Sequence, residues 1–117
     1  MEKLTLDEAW KKCLEMWEFV VTNLDKYGND VELAKSTWCD ANGYSKLDAT
    51  CFFCAFARQE TKGAGGNICK KCPLKLATGG HAGCFTPYDY ADQPREFYTY
   101  LKTIYGQLLT NGGGIVA

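Results

Sequence analysis

Cys51-Phe-Phe-Cys54 and Cys69-Lys-Lys-Cys72-Pro73 are two Cys-x-x-Cys pairs with fourteen residues between them. That spacing lets two thiolates from each tight turn reach one ion, while the interval brings the second pair round to close a tetrahedron. The interval contains Lys62-Gly-Ala-Gly-Gly-Asn67, whose glycines cost little where a returning loop needs unusual backbone angles. The expected ligand set is Cys51, Cys54, Cys69 and Cys72, and the expected ion is Zn2+. Four thiolates also suit an iron–sulfur cluster, a choice that spacing alone leaves open. Cys84 is the alternative ligand. His81, the chain's one histidine, competes for the same place from Gly79-Gly-His-Ala-Gly83, where a solvated ring is the ordinary outcome.

The rival uses of cysteine fit less well. The chain opens Met-Glu-Lys-Leu-Thr-Leu-Asp-Glu, without the basic start and apolar run of a secretory signal, so the expected compartment is the reducing cytoplasm. Seven cysteines leave one over in any fully bridged scheme. A thioredoxin-like motif expects one Cys-x-x-Cys at a strand end within a β-α-β pattern, and no such pattern is visible. Cys13 falls on an apolar helix face and Cys39 follows Trp38 in a short apolar cluster, so both are expected to pack rather than ligate.

Working outward, each flank of the cysteine block reads as a helix. Thr5 with Glu8 three residues later is a capping box. Leu6, Trp10, Cys13, Leu14, Trp17, Val20, Val21 and Leu24 then recur at three- and four-residue steps, predicting one amphipathic helix over residues 5–27 that Gly28 ends. Its two tryptophans are core residues first and a stacking surface second. A short helical turn is expected from Asp30 to Trp38, then a polar turn at Asn42-Gly43. Asp92 as cap and Pro94 in the opening turn predict a second long helix over 93–110, with Phe97, Leu101, Ile104, Tyr105 and Leu108 on one face and Asn111-Gly112 as its stop. The predicted fold is one mainly α domain over 1–117. Its two long amphipathic helices pack together, and a treble-clef-like zinc-knuckle module over 51–84 folds against them. Short knuckle hairpins are one form for that module. Pro73 suits the first turn of a short helix after the second pair, and Cys54 to Arg58 reads equally as helix. No apolar run is long enough to span a bilayer.

Charge is uneven along the chain. Residues 1–50 carry six lysines against ten acidic residues, whereas residues 51–84 carry five basic residues against one acidic. Arg58, Lys62, Lys70, Lys71 and Lys75 are therefore candidates for phosphate contact, which makes a nucleic-acid-binding zinc module the alternative function. Lysines beside a metal tetrathiolate also offset its negative charge, a structural use of the same residues. The overall net charge of −1 argues against non-specific duplex binding. Catalytic patterns are thin: a site of four thiolates is closed, the His-x-Glu signature of zinc deaminases is absent, and the glycines do not form a P-loop. A small zinc hydrolase is the weakest alternative, and no catalytic residue is assigned.

The order Cys51-Phe-Phe-Cys54, Cys69-Lys-Lys-Cys72-Pro, Thr78-Gly, Cys84 and Thr86-Pro-Tyr88 resembles a group of small phage-encoded proteins of largely uncharacterised role. The long glycine-rich interval departs from that group. The resemblance gives Cys84 a place at or beside the metal site. It also implies a non-enzymatic, zinc-stabilised binding protein in the host cytosol that inhibits or sequesters a host factor, a protein or a nucleotide signal, in counter-defence. Read from the residues alone, Thr86-Pro87 is a capped helix start. Tyr98 and Tyr100 lie off the main stripe of the last helix and are candidates for a partner surface.

Overall fold

The computed structural model describes residues 4–44, 51–61, 71–83 and 86–112. Its helices are α1 (Leu6–Asn23), α2 (Val31–Ala41), α3 (Phe52–Thr61), α4 (Pro73–Ala77) and α5 (Pro94–Gly112), and the described residues include no strand. The first helix is the hub: α2, α3, α4 and α5 all pack on it. The expected pairing of the two long helices is present as α1 against α5. The radius of gyration is 13.7 Å, close to the ~13 Å of a compact chain of this length.

The predicted capping box opens α1. Thr5 Oγ1 accepts from the Glu8 amide at 3.1 Å, and Glu8 Oε1 accepts from the Thr5 amide at 3.0 Å. Ala9, Trp10, Cys13, Met16, Trp17 and Val20 are buried along its length, so the tryptophans are core residues. The helix stops sooner than the periodicity suggests. Asn23 turns its side-chain amide onto the Phe19 carbonyl at 2.8 Å, a local bond that competes with helix continuation. Leu24–Tyr27 continue as a 3-10 turn, and Gly28 closes it at a φ of +63°, where a side chain would be strained.

The Asp30 to Trp38 segment is a full helix rather than a short turn. Asp30 caps α2 by accepting from the Leu33 amide at 3.0 Å, and the helix runs on to Ala41. Its face against α1 is Val31, Ala34, Lys35 and Cys39, with Cys39 Sγ 3.9 Å from Met16 Sδ. In α3 the phenylalanines supply the core: Phe52, Phe53 and Phe56 are buried with Ala57. Trp10 joins three helices, meeting the Phe53 edge at 4.8 Å and stacking on Tyr105 of α5 at 5.6 Å. Trp17 meets Phe97 at 5.0 Å. Gln59 fastens α3 to the chain ahead of α1, accepting from the Leu4 amide at 2.8 Å and donating to the Leu4 carbonyl at 2.7 Å.

Two expectations near the last helix are corrected. Asp92 is not its cap: Asp89 Oδ1 accepts from the amides of Ala91 and Asp92, and the Gln93 carbonyl takes the first helical bond, from Phe97. The acidic residue thus shapes the preceding turn, and Pro94 starts the helix. Thr86-Pro87 does not open a helix either. It is a cis peptide in a bend, and the Thr86 carbonyl turns back to accept from the Gly83 amide at 2.8 Å. Within α5, Phe97 and Leu101 are buried while Ile104, Tyr105 and Leu108 pack against the core from its edge, as the stripe predicts.

Candidate metal centre

Each described part of the cysteine block opens at a helix N-terminus. Cys51 immediately precedes α3; its carbonyl accepts from the Ala55 amide at 2.9 Å, and its Sγ accepts from the Cys54 amide at 3.4 Å. A thiol used as an N-cap sits where the first-turn amides point and where the helix dipole favours negative charge. The thiol of Cys51 is accordingly pulled down to about 6: the Cys54 thiol donates to it, the Cys54 and Phe53 amides add to this, and Lys35 contributes positive charge, together outweighing burial. Cys72 caps α4 with extended dihedrals of −62° and 127°, its carbonyl accepting from the Leu76 amide at 2.9 Å, and Pro73 occupies the first turn as expected. The helices α3 and α4 pack against each other, so the two cysteine-headed elements are neighbours.

Cys69, Cys84, Lys62 and Lys70 lie outside the described residues. Among the described residues no three His, Cys, Asp or Glu side chains form a group able to hold a metal ion. His81 is exposed in the turn after α4, which Thr78 organises by donating to the Leu74 carbonyl and accepting from the Ala82 amide, both at 2.9 Å. Cys13 and Cys39 are buried in the core, as their apolar surroundings predict. Burial is also the main reason that the Cys39 thiol is pushed up.

The candidate binding residues are dispersed. Arg58 and Lys71 are exposed, on α3 and just before α4. Lys75 lines a shallow depression with Leu76, Gly79 and Gly80. Tyr98 and Tyr100 occupy different grooves on opposite flanks of α5. Tyr98 faces α1 beside Leu14 and Glu18, with the Lys102 ammonium 4.7 Å from its ring centre. Tyr100 lines a groove of about 450 Å3 with Tyr88, Arg95, Glu96, Thr99 and Thr103, and the Tyr88 ring meets it edge-on at 5.9 Å.

Sequence reasoning missed Lys35. It is 5% exposed, with its ammonium 4.7 Å from the centre of the Tyr90 ring and 5.9 Å from that of Trp17. The available signal was its position: Val31, Ala34, Lys35 and Trp38 share one helical stripe, so a cation there enters the core. Comparison of the chain with known protein families, curated proteins and solved structures finds no match.

Proposed function

We propose that this chain is a non-enzymatic, zinc-stabilised binding protein of the phage accessory type, acting by occupying a host protein or a nucleotide signal. The observation that carries the metal reading is the placement of Cys51 and Cys72 at the heads of two packed helices, one of each Cys-x-x-Cys pair. The donors present fit zinc: soft sulfurs, one of them already biased toward thiolate, with Cys54 one turn inside α3 to complete the first pair. Cys51, Cys54 and Cys72 would hold the ion together with Cys69, and Cys84 is the alternative. A site of this kind is structural, contributing on the order of 10 kcal/mol to folding.

The binding reading rests on the α5 surface. The Tyr88, Arg95 and Tyr100 groove offers aromatic area and a cation in one place, which suits a ligand combining a planar ring with negative charge. Native and denaturing mass spectrometry of the full chain tests both parts. One zinc per chain with a nucleotide-sized added mass supports sequestration. One zinc and no further mass directs the search to a host protein. Absence of metal, with masses shifted by disulfides, overturns the reading.

A further inference from the structure

The groove between Tyr88 and α5 has one wall that is fixed from the core. Asp89 Oδ1 ties the turn after Tyr88 by accepting from the amides of Ala91 and Asp92, at 2.8 and 3.1 Å. Tyr90 then docks inward, its ring 6.2 Å from that of Trp17, 6.3 Å from that of Phe97 and 4.7 Å from the buried ammonium of Lys35. Tyr88 thus meets Tyr100 on a segment already anchored, so a ligand entering there has little left to order.

The rest of the groove is a face of α5. Arg95, Thr99 and Thr103 recur at four-residue steps, with Glu96 and Tyr100 beside them. The Tyr88 and Tyr100 rings are inclined at 66°, a corner in which a third flat ring can stack on one and meet the other edge-on. Arg95 and Tyr100 leave the helix about 7.5 Å apart along its axis, the order of distance that one ribose puts between a base and its 5′ phosphate. Charge narrows the ligand further. Among the described residues Arg95 is the one cation of the lining and Glu96 the one anion, while Asp89 and Asp92 add negative charge in the adjoining turn. A triphosphate or a nucleic-acid strand calls for several cations, whereas one guanidinium serves a single phosphate. The Glu96 carboxylate, an acceptor only, suits ribose hydroxyls or an exocyclic amine. The volume of about 450 Å3 is within the range of small-molecule sites.

We infer that this groove is a site for a single nucleoside monophosphate, its base against Tyr88 and Tyr100 and its phosphate on Arg95. The inference deepens the binding reading above and rests on it. The experiment is isothermal titration of the full-length chain, in zinc-containing buffer, with adenosine and guanosine 5′-monophosphates, the parent nucleosides, ATP and a short single-stranded oligonucleotide. One monophosphate per chain is expected, with its nucleoside about 10-fold weaker and ATP no tighter. R95Q should bring the monophosphate down to the level of the nucleoside and leave the nucleoside unchanged, a split that a merely structural role would not produce. Y100A should weaken both by about 10-fold. Should Y100A fail to fold, R95Q decides alone, because Arg95 is exposed. Either monophosphate affinity unmoved by R95Q, or tighter binding of ATP or the oligonucleotide, overturns the inference. A wild-type chain that holds zinc yet binds no monophosphate also overturns it, and leaves the zinc-stabilised reading with a host protein as partner. Absence of metal, read separately by mass spectrometry, overturns that reading whatever the titrations show.

Discussion

Replacing Gln59 probes the junction between the cysteine-bearing helix and the rest of the fold. Its amide both accepts from and donates to the backbone of Leu4, at 2.8 and 2.7 Å, and Leu4 is only 7% exposed. At neutral pH no other side-chain type of this length does both jobs at once. Gln59→Ala removes two partly buried hydrogen bonds at about 1 kcal/mol each, and the better helix propensity of alanine returns a few tenths, giving a net loss of about 2 kcal/mol. Gln59→Glu should be worse at neutral pH. It keeps an acceptor for the Leu4 amide but loses the donor and sets a carboxylate against the Leu4 carbonyl, so about 3 kcal/mol is expected. Protonation restores a donor, so the folded state raises the pKa of the new carboxyl. Its stability is then recovered below the unfolded value of about 4.3 and lost as pH rises through the folded one. Urea unfolding with saturating zinc, comparing midpoints at a common slope, measures these losses. A Gln59→Ala midpoint within about 0.5 kcal/mol of the wild type, or Gln59→Glu indistinguishable from Gln59→Ala at every pH, would refute the reasoning.

Two further perturbations address the hub. Leu101→Ala empties a fully buried position where α5 meets the core, and a loss of about 3 kcal/mol is expected in the same unfolding assay. Thr5→Ala should cost about 1 kcal/mol by removing the α1 cap. Because Thr5 and Glu8 satisfy one reciprocal motif, the double variant with Glu8→Ala is expected to lose less than the sum of the single losses; strict additivity would argue against the box acting as a unit.

The elements legible in the sequence were those in which one local signal ruled. Thr5, Glu8 and the tryptophan stripe specify α1 because capping chemistry and the 3.6-residue period agree there. The stripe from Phe97 to Leu108 does the same for α5, but its start differs from the expected Asp92 cap because Asp89, three residues earlier, holds the turn with its own carboxylate. The helix α2 runs beyond the turn expected from Asp30 to Trp38, and its buried Lys35 lies against Trp17 and Tyr90, neither of which is near it in sequence. The cysteine spacing marked the candidate site. That Cys51 and Cys72 each head a helix is half visible, through Pro73 for α4 and the phenylalanines for α3, whereas the packing of α3 against α4 depends on the tertiary fold.

Since α2, α3, α4 and α5 all lean on α1, the order of synthesis has a consequence. Of these helices, the one made before the others is the one they must cover. Trp10 waits for Phe53 and then for Tyr105, and Trp17 waits for Phe97, so its apolar stripe stays partly bare until the last helix leaves the ribosome. During that interval the nascent chain presents a tryptophan-rich helix to its surroundings, the kind of surface on which aggregation begins and chaperones act.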